Sequence, residues 1–278
     1  MLTDLLPPRS ALFVPASNPK ALAKIPDLGA DMVIIELEDA VRPEDKAAAR
    51  RAAVEVLRGD FGGAIKALRI NAAGTPWHVD DVEAAASSAA DVVVIPKAEQ
   101  AGAVGQLAMR IGHPLLAMIE SPAAVLNAFD ISAASGVMGL IAGVNDIAHA
   151  MRLPADPARE GLMFALQQIV TAARADGAWA LDGVYNALDD EAGFARECAQ
   201  GRRWGFDGKT LIHPRQVAAA NAGFAPGAAE IEDAEALLAA VAAHPQGVGA
   251  LRFRDRMVED MHVATAQALL GRAAKASA

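Results

Sequence analysis

Short apolar runs that break off at polar residues recur along the chain. Eight stand out, at residues 11–14, 32–37, 67–70, 92–95, 115–119, 139–142, 178–181 and 208–212. The run Leu115-Leu116-Ala117-Met118-Ile119 carries no charge and stops abruptly on Glu120, ahead of Ser121-Pro122. Such a run reads as a strand buried on both faces. Ala-rich segments with helical spacing lie between the runs, at 43–57, 80–88, 101–110, 123–131, 158–175, 192–204 and 214–222. The first connection, 19–28, is short but has room for a helix. Alternating strand and helix with short connections implies a parallel sheet. Eight such units predict a closed (β/α)8 TIM barrel. An open doubly wound sheet competes, weakened by the lack of a Gly-x-Gly-x-x-Gly turn after the first strand. Two further helices, 228–243 and 260–274, lie outside that count, separated by a break at His244-Pro245-Gln246-Gly247 with Gly249 in the same loop. The pattern therefore divides the chain into a barrel, 1–225, and a C-terminal helical extension, 226–278, that caps the barrel or reaches a neighbouring subunit.

Composition narrows the function. The chain has 278 residues and is 53% hydrophobic, ample for the core of one barrel. A net charge of −9 and only 4% aromatic residues argue against a nucleic-acid surface. One cysteine, Cys198, excludes an internal disulfide framework and a Cys-x-x-Cys zinc site, and fits a reducing, cytoplasmic setting. The segment Met1–Ser10 contains Asp4, Pro7 and Pro8 and lacks the apolar centre of a signal peptide. No apolar run approaches the roughly 18 residues of a membrane span.

In a barrel of this kind the chemistry sits where strands end and loops begin. Polar residues gather there: Glu36-Leu37-Glu38-Asp39, Arg69 and Asn71, Lys97, Glu120, Asn145-Asp146, Asp182, and Lys209 with His213. Glu120 and Asp146, two hard carboxylates on adjacent strands, suit Mg²⁺ better than zinc, because no His pair stands at ligand spacing. The plainer readings are a buried salt bridge from Glu120 to Arg69 or Lys97, and an N-cap role for Asp146. Arg69 ends a run that should be buried, so it needs an acidic partner: a substrate carboxylate, or a permanent pair with Glu38 or Asp39. Alternation points Glu36 and Glu38 one way and Leu37 and Asp39 the other. Glu38 and Asp39 fit work on metal-bound waters better than direct ligation. Lys20 and Lys24, a turn apart after the first strand, can hold phosphates, or simply form a solvated face. His213 can touch a substrate or cap a backbone group. His78, His113, His149, His244 and His262 carry no spacing signal, and Cys198 reads as packing.

Several stretches together resemble one family. They are Arg9–Pro15, Gly29–Val41 with its Leu37-Glu38-Asp39-Ala40-Val41, Arg69-Ile70-Asn71 with Thr75-Pro76-Trp77, Ile95-Pro96-Lys97, Ile119-Glu120-Ser121-Pro122, Asp182-Gly183-Val184-Tyr185, and Gly208-Lys209-Thr210-Leu211-Ile212-His213-Pro214. In this order they resemble the citrate lyase beta-subunit-like proteins of the HpcH/HpaI aldolase/citrate lyase family. The resemblance implies a Mg²⁺-dependent barrel, a homotrimer or hexamer, acting on coenzyme A thioesters of hydroxy-carboxylic acids. It assigns Glu120 and Asp146 to the metal and Arg69 to the keto-acid end of the substrate. Phe13, Lys20 and Lys24 match positions that contact coenzyme A, and Ile212 and His213 a further substrate-contacting pair. Met257-Val258-Glu259 matches a Met-Val-Asp element whose acid reaches a neighbouring subunit's site. Two departures stand out: Glu259 replaces that Asp, and Asn145 occupies a position where relatives commonly carry Glu.

The implied reaction is cleavage of a citramalyl-, citryl- or malyl-CoA type substrate into a keto acid and an acyl-CoA, with the base either a metal-bound hydroxide backed by Glu38 or Asp39, or Glu259 from a partner subunit. Malate-synthase-like condensation with thioester hydrolysis, a coenzyme-A-independent pyruvate aldolase, and a lyase subunit serving a carrier-protein thioester are the alternatives.

Overall fold

The computed structural model describes residues 5–244 and 251–276. Eight parallel strands close into a barrel in chain order. They are β1 (Ser10–Pro15), β2 (Met32–Glu36), β3 (Ile65–Arg69), β4 (Val92–Ile95), β5 (Leu115–Ile119), β6 (Val137–Ala142), β7 (Trp179–Asp182) and β8 (Gly208–Leu211). Closure is made by β8 pairing with β1, Ala11 against Thr210. The open doubly wound alternative is thereby overturned. Every predicted run became a strand, because runs covered on both faces bury nearly all their side chains: β2, β4 and β5 are buried throughout.

The barrel wall separates two packed layers. Val33, Ile35 and Leu37 on one face of β2 meet Ala49, Ala53 and Leu57 in a large core between strands and helices. Small Ala residues on the helices let them approach the sheet closely. The predicted helix at 43–57 opens with a 3-10 turn, Pro43–Asp45, before Lys46–Val56. The one at 123–131 is two short helices, Pro122–Leu126 and Ala128–Ser132, meeting at Asn127. A helix the pattern did not mark, Val144–Ala150, follows β6 directly. It has seven residues, too few for its periodicity to register.

The barrel unit spans Pro7–Phe224, and the described residues from Ala225 onward form a second compact unit. There, helices Ala228–Ala242 and Asp260–Ala276 enclose a small core of Ala234, Leu237, Val258 and Ala266. The segment before the last helix is a β-hairpin, Leu251–Phe253 with Arg256–Val258. Its turn residues Arg254 and Asp255 both have positive φ, 43° and 62°, as a type I′ turn requires. Arg-Asp is a poor advertisement for such a turn, which hid the hairpin. Asp233 anchors it by pairing with Arg254 and Arg256. The expected break at Pro245-Gln246-Gly247 and Gly249 lies outside the described residues. Among the described residues no helix is long and apolar enough to cross a membrane.

Candidate active site

The C-terminal ends of the strands surround a cavity of about 220 Å³. Glu36 and Arg69, the last residues of β2 and β3, are register partners and both line it. Glu120 follows β5, and Asp146 stands in the first turn of the helix after β6. Asp39, Asn145 and Met118 complete the polar and soft parts of the wall.

Arg69 is held by carboxylates. Its Nε donates to Glu36, Nη1 lies 3.2 Å from Glu38, and Nη2 lies 3.6 Å from Asp39. The guanidinium also stacks 4.7 Å from the centre of the Phe13 ring. The sequence offered Glu38 or Asp39 as the permanent partner, but Glu36 is the tightest. Burial works against the charge on Arg69, and the three carboxylates outweigh it, so its pKa lies above the ordinary value.

Glu36 and Glu38 are both buried, whereas Asp39 is exposed at the cavity mouth. Glu36 also accepts the backbone N–H of Glu38, which tightens the turn. Among the described residues neither carboxylate oxygen of Glu38 has a hydrogen-bond partner. The Lys97 ammonium stands 3.7 Å away. Burial pushes the Glu38 carboxyl up; Arg69 opposes this, and the charges of Asp39, Glu120 and Glu36 add to it, leaving a value of about 8.

The loop carrying these acids is clamped from below. The Lys46 ammonium donates to the carbonyls of Leu37 and Glu38 at 2.7 and 2.6 Å and to Asn71 Oδ1 at 2.6 Å. Asn71 donates in turn to Leu37 O and to Asp81, which Arg50 holds at 2.6 Å. The Trp77 ring lies 5.0 Å from the Lys46 ammonium. Asn71 and Trp77 of the resemblance motif thus brace the acidic loop.

Glu120 accepts the backbone N–H of Lys97 at 2.6 Å, so its partner is the peptide of Lys97 rather than the ammonium. Gly143 gives it room: a Cβ there would clash with Glu120 Cγ and lie 3.2 Å from Oε1. Burial raises the Glu120 pKa; the Lys97 N–H and Arg69 oppose this, and Asp146 and Asp39 add to it. Asp146 does not cap its helix; the N-cap is Gly143.

These residues fit Mg²⁺. Glu120 and Asp146 face one cavity, and the charge of Asp146 raises the cost of ionising Glu120. Among the described residues no three His, Cys, Asp or Glu side chains converge as a metal cluster. A pair of carboxylates leaving most positions to water and substrate is the donor set of Mg²⁺ rather than of zinc. The orphaned oxygens of Glu38 mark the same deficit of positive charge.

A second cavity, about 310 Å³, adjoins the first. Phe13 and Ile212 line both. Lys20, Lys24 and Asn18 line its outer part. The structure thus brings together Phe13, Lys20, Lys24 and Ile212. His213 is absent from both linings; its Nδ1 accepts the Arg215 N–H at 3.2 Å and caps the turn after β8. Glu259 belongs to the second unit. It is exposed, and its backbone N–H donates to His262 Nδ1 at 3.0 Å.

Asp182 and Lys209 are not cavity residues. They are fully buried register partners on β7 and β8, 3.1 Å apart, in an ionic cluster with Arg159 and Glu197. The opposing charges of Lys209 and Arg159 outweigh burial and hold Asp182 below the ordinary carboxylate range. Cys198 is buried, and burial pushes its thiol up to about 12, which suits packing. The sequence placed Glu36 among the strand-end acids but gave it no role, because its pairing with Arg69 depends on register across β2 and β3.

Known proteins of similar sequence share this barrel. Residues 9–214 match the HpcH/HpaI aldolase/citrate lyase family. A (3S)-malyl-CoA thioesterase of Cereibacter sphaeroides is 42% identical over 96% of this chain and 95% of its own. The citrate lyase subunit beta of Leuconostoc mesenteroides is 35% identical, covering 94% of this chain and 92% of its own. The crystal structure of CitE from Mycobacterium tuberculosis, in complex with magnesium, acetoacetate and coenzyme A, superposes with a TM-score of 0.81 at 31% identity, over 95% of this chain and 97% of that one. By family match, identity across nearly the whole length and shared barrel, the chain belongs to the HpcH/HpaI aldolase/citrate lyase family.

Proposed function

We propose that the protein is a Mg²⁺-dependent carbon–carbon lyase that splits a 3-hydroxy-carboxyacyl-CoA thioester into a keto acid and an acyl-CoA. One observation carries the reading: an acid-lined cavity with a buried Arg opens, past Phe13 and Ile212, into a cleft with two lysines. The first suits the polar acyl group and the second the phosphates of the coenzyme. Magnesium complexes with acetoacetate and coenzyme A in the M. tuberculosis relative support both assignments.

Mg²⁺ held by Glu120 and Asp146 would polarise the oxygen that becomes the ketone. Arg69, fixed by Glu36, presents charge to the keto-acid carboxylate. Glu38 takes or gives a proton at its carboxylate, since its raised pKa of about 8 matches general acid–base work near neutrality. Asp39 at the mouth and Glu259 from a neighbouring subunit are the other groups proposed for proton transfer.

A second reading has its own observation. The (3S)-malyl-CoA thioesterase relative, 42% identical, favours hydrolysis of the thioester instead of cleavage. The citrate lyase subunit beta relative favours a carrier-bound thioester. One assay separates the three. Purified protein, with Mg²⁺ or with chelator, is given malyl-, citramalyl- and citryl-CoA and a carrier-protein-bound thioester, and keto acid, free thiol and acyl thioester are measured. Lysis yields keto acid with no new thiol, and hydrolysis yields thiol with the hydroxy acid intact. Turnover only on a carrier-bound thioester would overturn the proposed substrate class. We also propose a cytoplasmic homotrimer or hexamer in which residues 226–278 reach the adjoining subunit; light scattering reads the assembly state.

A further inference from the structure

Lys97 stands out in the loop after β4. It has a φ of 51°, in the left-handed region that non-glycine residues seldom occupy. Such a conformation persists only where the surroundings demand it, and strained residues of this kind cluster at functional sites. Two contacts explain the demand. The Lys97 N–H, turned by that φ, donates to Glu120 Oε2 at 2.6 Å. Its side chain, half exposed, brings the ammonium to 3.7 Å from Glu38 Oε1. Glu38 otherwise has only Arg69 among the described cations within 4 Å, and Arg69 is already tied to Glu36. Among the described residues neither Glu38 oxygen has a hydrogen-bond partner.

We propose that Lys97 is a positioning residue with two separable parts: a strained peptide that aims Glu120, and a mobile ammonium that serves as counter-charge to Glu38. The inference rests on the reading of Glu120 as a Mg²⁺ ligand. It gives a role to the Ile95-Pro96-Lys97 motif, which neither the metal pair nor the coenzyme cleft uses. The Lys side chain also lines a neighbouring cavity of about 310 Å³ beside β3 and β4, so it has space to swing away from and towards Glu38. Arg69 is buried and has no such freedom.

The two parts respond to different substitutions. Lys97→Gly keeps the peptide, because Gly adopts positive φ without strain, and deletes the ammonium. Lys97→Val opposes positive φ, because the β-branched side chain crowds the backbone, and withdraws the N–H from Glu120. Lys97→Arg keeps both. Mg²⁺ binding is read by isothermal titration calorimetry on the protein without substrate, and kcat and KM on the thioester that the wild type turns over. The expected pattern is Mg²⁺ affinity within about twofold of wild type for Gly, and weaker by about tenfold or more for Val, the loss of one hydrogen bond to a charged group. Turnover falls about tenfold or more in Gly, with KM little changed, and recovers in Arg. Equal Mg²⁺ affinity in Gly and Val would overturn the peptide role. Full kcat in Gly would overturn the ammonium role, and the Gly variant remains informative if Val fails to fold. Glu120→Gln is the separate control: unchanged Mg²⁺ affinity there would remove the underlying metal assignment rather than the proposal for Lys97.

Discussion

Single side chains around the acidic cavity make opposing demands on charge; Glu38 lies behind its lining, against Arg69. Glu38 keeps its proton in the folded protein up to about pH 8, whereas unfolded it ionises near 4.5. Between these values the folded state binds the extra proton, so stability falls as pH rises, by up to about 1.4 kcal/mol per unit for this one group. Glu38→Gln should therefore stabilise the Mg²⁺-free protein by about 1–3 kcal/mol at pH 8 and much less at pH 5. Urea unfolding in chelator at the two values measures it, and an equal gain at both would refute the raised pKa. Gly143→Ala makes the opposite kind of change. The added methyl meets Glu120, so Mg²⁺ affinity should fall about tenfold or more, again by calorimetry. At this scale the sequence showed which residue types sit at strand ends, but not their partners. Glu36 was passed over because its pairing with Arg69 depends on register across β2 and β3.

Elements were more legible than partners. A strand buried on both faces advertises itself by an unbroken apolar run, and all eight did so. What the runs conceal is parity. Asp182 ends β7 and Lys209, its register partner, lies one residue into β8, yet both face away from the cavity, where Glu197 and Arg159 meet them. Thr210, one residue beyond Lys209, faces the cavity instead. Period-two alternation makes that difference, and a run only four residues long gives too little pattern to fix its phase. The cluster is accordingly predicted to govern stability rather than catalysis. Lys209→Met, leaving Asp182 and Glu197 short of a cation, should cost about 3–5 kcal/mol in urea unfolding. In the cold, the fraction that remains folded should keep wild-type KM. Because Asp182 lies below its ordinary range, its stabilisation is complete above that range and is lost as pH falls through the depressed value. A raised KM in the variant would instead return these residues to the site.

At the scale of the whole barrel, two cavities meet at Phe13 and Ile212, and the proposed function uses both. On the proposed reading the acidic one carries the reacting groups. On the same reading the lysine cleft contributes binding energy from a remote part of the substrate. Lys20 and Lys24 are both exposed and lie in the connection after β1, where solvent and salt screen their charges. Lys20→Ala/Lys24→Ala should raise KM for the coenzyme A thioester by about tenfold while leaving the fold intact, each exposed charge contributing on the order of 0.5–1 kcal/mol. The same double variant should match wild type on a pantetheine thioester, which has no phosphates for the lysines to meet. The wild-type advantage on the full thioester should also shrink as salt is raised from 0.05 to about 0.5 M, where the screening length falls well below the cleft's dimensions. Equal losses on both thioesters would mean that the lysines shape the barrel mouth rather than read the coenzyme. Unchanged KM on the full thioester would move the coenzyme out of this cleft and bring forward an aldolase that works on a free acid, with Phe13 serving Arg69 alone.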